Sequence, residues 1–127
     1  MTVKKILVVD NEEYIQEVTK ICLQTTAKWE VITASSGIEG IQKAETEKPD
    51  AILLDVMMPD MDGISTFKCL KDNLITQTIP VILLTAKVQN TERSRYTDLG
   101  IKAAIAKPFS PLTLAQEISE ILGWDDD

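Results

Sequence analysis

Five short apolar runs punctuate the chain, separated by longer amphipathic stretches. The runs are Ile6-Leu7-Val8-Val9, Val31-Ile32-Thr33-Ala34, Ala51-Ile52-Leu53-Leu54, Val81-Ile82-Leu83-Leu84 and Ala103-Ala104-Ile105-Ala106. Most are nearly continuous rather than alternating, the pattern of strands covered on both faces. The alanine-rich fifth is the weakest strand by propensity. Between the runs, apolar positions recur at helical spacing. Ile15, Val18, Ile21 and Cys22 share a face of a helix expected over roughly 12–27. Ile38, Ile41 and Ala44 share a face of a second, which Lys48-Pro49 ends. Phe67 and Leu70 mark a third after Asp62-Gly63, and a polar fourth runs from about Asn90 to Leu99, stopped by Gly100. A fifth is expected to open at Ser110-Pro111, a cap followed by proline at the first helical position, with Leu114, Ile118, Ile121 and Leu122 as its apolar stripe.

Strands alternating with helices predict an α/β, doubly wound parallel sheet. Right-handed crossovers and five strands favour the flavodoxin-like (βα)5 arrangement of order 2-1-3-4-5. No repeat, low-complexity tract or internal linker breaks the pattern. Residues 1–127 therefore read as one domain, long enough for a proper core, with only the Asp125-Asp126-Asp127 tail expected to fray.

Charge narrows the function classes. A net charge of −7 is the opposite of a nucleic-acid footprint and suits a cationic partner or a metal. No apolar run approaches the roughly 18 residues of a membrane span, and the N-terminus lacks the longer apolar stretch and cleavage site of a signal peptide. A cytoplasmic protein is expected. Cys22 and Cys69 lie far apart among apolar neighbours and are expected to be reduced core residues. With no histidine in the chain, any mechanism needing an internal imidazole is excluded.

In this fold, ligands bind beyond the carboxyl ends of the strands. Asp10-Asn11-Glu12-Glu13 follows the first run, Asp55 the third, Thr85 the fourth and Lys107-Pro108 the fifth. Each has an ordinary reading alone: Asp10 as a cap, Asp55 as part of the Met58-Pro59-Asp60-Met61-Asp62-Gly63 turn, Thr85 as an N-cap, Lys107 as a solvated lysine. Met57 and Met58 are expected to pack. Together the four strand ends make a specific chemistry. Crowded carboxylates repel unless a cation sits among them, and oxygen ligands favour a hard metal such as Mg²⁺. Asp55 would then take a phosphoryl group as a carboxylate nucleophile, Thr85 would donate a hydrogen bond and Lys107 a positive charge.

Along essentially its whole length the sequence resembles the CheY-like receiver domains of bacterial two-component response regulators. The resemblance rests on Ile6-Leu-Val-Val-Asp10-Asn-Glu-Glu, on Pro80-Val-Ile-Leu-Leu-Thr85-Ala86, on Lys107-Pro108-Phe109, and most specifically on Leu54-Asp55-Val-Met-Met-Pro59-Asp-Met-Asp-Gly63. It implies that Asp55 accepts a phosphoryl group from a phosphohistidine of a sensor histidine kinase or phosphotransfer protein. It also implies that Asp10, Asp55 and the main-chain carbonyl of Met57 hold Mg²⁺, that Thr85 and Lys107 contact the phosphoryl group, and that the Lys107–Pro108 bond is cis. Asn11 and, further out, Glu12 are candidate metal contacts. The expected output is a changed protein-binding surface for a downstream protein, by a monomer or weak dimer that is not an enzyme and binds no nucleic acid or membrane.

Three features depart from the pattern. Asn11 replaces the usual second acid, and Ala104 the frequent aromatic toggle of the fifth strand, which turns attention to Arg93, Arg95 and Tyr96 on the fourth helix. The chain also stops after its fifth helix, which suggests a stand-alone regulator. Met57 and Lys87, two residues beyond Asp55 and Thr85, are expected to set phosphoryl lifetime. The rival of the same fold is a pseudo-receiver, never phosphorylated, acting as a constitutive interaction module. A haloacid-dehalogenase-type phosphatase would need a second Asp where Met57 stands after Asp55 or Glu12 after Asp10, and a flavin or nucleotide site would need a Gly-rich or Ser/Thr-rich loop after the first strand.

Overall fold

The computed structural model describes residues 3–86 and 90–124, with the side chains of 90–93 excepted. The expectation about Lys87, the side chain of Arg93 and the Asp125-Asp126-Asp127 tail lie outside the described residues. Ten elements alternate: β1 (Lys5–Val9), α1 (Glu13–Thr26), β2 (Glu30–Ala34), α2 (Gly37–Glu47), β3 (Ala51–Asp55), α3 (Gly63–Asp72), β4 (Val81–Thr85), α4 (Asn90–Leu99), β5 (Ala103–Ala106) and α5 (Leu114–Leu122). All pairings are parallel and the sheet order is β2-β1-β3-β4-β5, the flavodoxin-like (βα)5 fold read from the pattern.

The continuous apolar runs follow from burial on both faces. Leu7, Val9, Ile52, Leu54 and Leu83 join one core with Phe67 and Leu70 of α3 and Tyr96 of α4. Their neighbours Ile6, Val8, Leu53, Ile82 and Leu84 join a second core with Cys22 and Leu23 of α1 and Leu114 and Ile118 of α5. Each such side chain removed from water contributes about 1.5–3 kcal/mol, which is why the three central strands are the rigid frame of the molecule.

Phe67, Leu70, Leu114, Ile118, Cys22 and Ala44 are buried as the helical period predicts, with Ile15, Val18 and Ile41 half-buried, and the departures fall on α1 and α2. Ile21 and Ile38 are exposed, and the positions turned inward are Gln16, Thr19, Cys22 and Leu23 on α1 and Gly37, Gly40 and Ala44 on α2. The cause is close packing: a Cβ on Gly40 would stand 2.8 Å from Val9 of β1, so α2 lies against the sheet on its small residues and a larger Ile is left outside. Cys22 is buried as expected, but Cys69 is exposed, because α3 buries Thr66, Phe67 and Leu70 and turns Cys69 outward. Met58 packs, whereas Met57 is 78% exposed and leaves only its main chain at the site. Ser110-Pro111 opens a turn rather than a helix; Thr113 N–H and Leu114 N–H both donate to the Ser110 carbonyl, and α5 begins at Leu114.

The β3–α3 connection is held from both ends. Gly63 N–H donates to the Val56 carbonyl at 2.8 Å, and the Asp62 side chain caps α3 by accepting from Ser65 N–H at 2.7 Å. Gly63 presses so closely on the strand end that a Cβ there would stand 2.4 Å from the Asp55 carbonyl oxygen. Gly63→Ala should therefore cost about 1–3 kcal/mol in urea unfolding, the penalty of overpacking against backbone. Unchanged stability would show that α3 can slide off the strand end.

Candidate functional site

The carboxyl ends of β1, β3, β4 and β5 bring together Asp10, Asp55, Thr85 and Lys107, the four residues singled out by sequence. Asp10 is fully buried and Asp55 is 4% exposed, rare positions for carboxylates without partners. Their principal partner is a single ammonium. Lys107 Nζ lies 2.8 Å from Asp10 Oδ2 and 3.2 Å from Asp55 Oδ1, with Glu12 Oε1 at 3.8 Å. The Lys107–Pro108 bond that follows is cis, as the resemblance implies. Thr85 is buried at the end of β4, on the strand beside Asp55, and its carbonyl accepts from Lys107 N–H at 2.8 Å.

Local hydrogen bonds fix each group. Asp10 acts in part as the turn residue its sequence position suggests, since its Oδ1 accepts from Glu12 N–H at 2.9 Å. Asp55 Oδ1 faces Met57 N–H at 3.4 Å as well as Lys107. Two supporting residues escaped sequence reasoning. Gln16, buried on α1, donates through Nε2 to the Asp10 carbonyl at 2.6 Å and to Ser35 Oγ at 3.0 Å, tying the ends of β1 and β2 together. Asp60 accepts from Gly37 N–H and Ile38 N–H, both at 3.2 Å, pinning the β3–α3 loop to the N-terminus of α2. Burial opposes the Asp60 charge, but these main-chain donors outweigh it and hold its acidity stronger than usual. An Asp in a loop rich in Asp carries no signal that separates this contact from an ordinary turn, and the Gln16 contacts are visible only in three dimensions.

One ammonium does not balance two buried carboxylates. Burial, and then repulsion from Asp10, push the Asp55 carboxyl above its ordinary value of 3.8, against the opposing pull of Lys107. Burial works against the Lys107 charge too, but hydrogen bonding and attraction from Asp10, followed by those from Asp55, outweigh it and hold the ammonium above its ordinary value of 10.5. Among the described residues no cluster of three or more Asp, Glu, Cys or His side chains stands at metal-holding spacing. The donor set is instead two carboxylates, the Met57 carbonyl and the Asn11 amide. The amide atom facing into the site lies 3.2 Å from Asp55 Oδ2 and 3.3 Å from the Met57 oxygen. An all-oxygen set with unbalanced negative charge fits a hard divalent cation. Glu12 is more than half exposed and reaches Lys107 only at 3.8 Å, which places it at the rim.

The raised Asp55 pKa makes a pH prediction for the metal-free protein. A carboxyl whose folded pKa is raised supplies stability below its unfolded value and loses it as pH rises through the folded value. Asp55→Asn stays neutral, and Lys107 keeps Asp10 as a partner. In EDTA the variant should therefore gain on the wild type as pH rises from about 4 toward 7, read by urea unfolding. A stability difference independent of pH would contradict the assigned charge imbalance.

Comparison with known proteins agrees with the fold. The family model described as response regulator receiver domain matches residues 6–119. Among curated relatives, the alkaline phosphatase synthesis transcriptional regulatory protein PhoP of Bacillus subtilis is 43% identical over 119 residues, covering 94% of this chain and 48% of its own. The phosphate regulon transcriptional regulatory protein PhoB of Pseudomonas aeruginosa is 35% identical over 96% of this chain and 53% of its own. The chain thus spans about half the length of the curated relatives it matches. Among solved structures, the chemotaxis response regulator CheY4 of Vibrio cholerae superposes with a TM-score of 0.87 at 30% identity, covering 94% of this chain and 99% of that one. The receiver domain of sensor histidine kinase PA1611 from Pseudomonas aeruginosa, solved with a magnesium ion coordinated in its active-site cleft, gives 0.83 at 27% identity over 96% and 99%. By sequence match and by fold, the chain belongs to the response regulator receiver domain family.

Proposed function

We propose that Asp55 is the phosphoacceptor of a two-component signalling switch. Family membership makes phosphorylation-dependent two-component signalling the setting, and the observation that carries the residue assignment is the Lys107 ammonium between buried Asp10 and Asp55. In the transfer, an Asp55 carboxylate oxygen attacks phosphorus, the P–N bond of a partner's phosphohistidine breaks, and an acyl phosphate remains on Asp55. Lys107 is placed to pair with the added charge, about −1.5 to −2 for a phosphoryl group, and Thr85 to donate to a phosphoryl oxygen. Asp10, Asp55, the Met57 carbonyl and the Asn11 amide oxygen would hold Mg²⁺, which supplies charge neutralisation to an in-line transfer. The PA1611 receiver domain, with magnesium in its cleft, supports that choice of cofactor.

The phosphoryl donor on this reading is a sensor histidine kinase or phosphotransfer protein. The chain acts as a signalling protein rather than an enzyme working on a free substrate, in the cytoplasm, and its output is a population shift between two protein-binding surfaces. No helix among the described residues is long and apolar enough to cross a membrane. Relatives named as transcriptional regulators are about twice as long as the stretch they share with this chain. The net charge of −7 argues against duplex binding by these 127 residues themselves. The intact Asp55–Lys107 contact favours an acceptor over a pseudo-receiver. Arg95 is exposed on α4, whereas Tyr96 is 8% exposed and belongs to the core.

Incubation with Mg²⁺ and acetyl phosphate should add a single phosphoryl mass, absent in EDTA and absent in Asp55→Ala. Undiminished labelling of Asp55→Ala would overturn the acceptor assignment.

A further inference from the structure

Asn11 faces the site in a way that no second acid can reproduce. Its inward amide atom lies 3.2 Å from Asp55 Oδ2 and 3.3 Å from the Met57 carbonyl oxygen. Both neighbours are acceptors when Asp55 is ionised, so without a cation only the amide nitrogen satisfies them; an amide oxygen there would face two oxygens. With a cation the requirement inverts. Mg²⁺ holds oxygens at about 2.0–2.1 Å in octahedral geometry, which sets neighbouring ligands roughly 3 Å apart. The inward amide atom of Asn11 already stands near that spacing from both oxygens, and a half-turn of the amide exchanges nitrogen for oxygen without moving the backbone.

The remaining contacts of Asp55 suit such an exchange. Its Oδ1 is engaged by Lys107 Nζ and Met57 N–H, while Oδ2 is the oxygen turned toward Asn11. Lys107 also takes Asp10 Oδ2, so the lysine serves one side of the carboxylate pair and the amide the other.

We propose that Asn11 is a two-position element of the cation site. Its amide nitrogen stands in for the cation when the site is metal-free, and its amide oxygen becomes a ligand when the cation enters. The inference rests on the metal reading above. It gives Asn11 a consequence beyond one lost negative charge: the metal-free site keeps Asp55 and the Met57 carbonyl in place, and the entering cation must displace two hydrogen bonds. Charge transfer to the amide is not required and no proton moves; only the torsion of the last side-chain bond changes.

The side-chain amide of Asn11 in the full 127-residue chain is the direct probe, its ¹H–¹⁵N signals identified by their loss in Asn11→Asp. In EDTA the pair should sit well away from the position of a free amide, and titration with MgCl₂ should move it. Thermal unfolding supplies a second readout. In EDTA, Asn11→Ala should melt lower than the wild type by roughly 3 °C, a loss that mere absence of a ligand oxygen would not cause without metal. Asn11→Asp should melt lower still in EDTA, gain more from Mg²⁺, and bind Mg²⁺ about tenfold more tightly by calorimetry. A free-amide signal in EDTA, or an Asn11→Ala melting temperature equal to the wild type there, overturns the proposal. Mg²⁺ binding with an unmoved amide overturns the switch alone, whereas no Mg²⁺ binding by the wild-type chain overturns the metal reading and the switch together.

Discussion

Two buried carboxylates share one ammonium, and the rest of the site depends on that arrangement. Charges out of water are costly unless paired. Lys107 at 2.8 Å from Asp10 and 3.2 Å from Asp55 makes the pair tolerable without neutralising it. On the proposed function, the residual negative charge would draw in a cation, and Lys107 would pair with a group that brings further negative charge. The fold supplies the constraint: strands hydrogen-bonded in the order β2-β1-β3-β4-β5 place β1 beside β3 and β4 beside both β3 and β5, so their ends converge. A shift of β5 along β4 would carry Lys107 away from both carboxylates, and the Lys107 N–H to Thr85 carbonyl bond opposes it.

The loop beyond β3 is the second constraint. On the proposed metal reading its main chain would offer the Met57 carbonyl, which belongs to a residue whose side chain is exposed. What holds it is a set of contacts at the loop's margins: Asp60 on the first N–H groups of α2, Asp62 on the start of α3, and Gly63 against the Asp55 carbonyl. Preorganisation here is inexpensive, because Asp60 and Asp62 satisfy helix-end donors that would need partners in any case.

Much of this was legible in the sequence, for physical reasons that differ by element. Central strands buried on both faces need uninterrupted apolar runs, so β1, β3 and β4 stood out. The strand ends named the site because a parallel sheet exposes chemistry at one edge only. Helix faces were less legible. The inward side of α1 carries Gln16, whose amide ties the ends of β1 and β2, and Thr19, whose buried hydroxyl has no hydrogen-bond partner among the described residues. The inward side of α2 carries glycines, so hydrophobic period points to Ile21 and Ile38 instead. α5 starts later than Ser110-Pro111 suggests, because a Ser-Pro pair opens turns as readily as helices. The Gln16 bridge and the Asp60 clamp join residues distant in sequence, where spacing rules have nothing to say.

On the proposed function, Asp55 with Lys107 and a cation forms a receptacle for a phosphoryl group. Beryllofluoride, a tetrahedral mimic of that group, tests it most directly by ¹⁹F NMR. With Mg²⁺ present, the wild-type chain should give a bound fluorine signal, and that signal should be absent in EDTA and in Asp55→Ala. A bound signal of equal strength in Asp55→Ala would contradict the account.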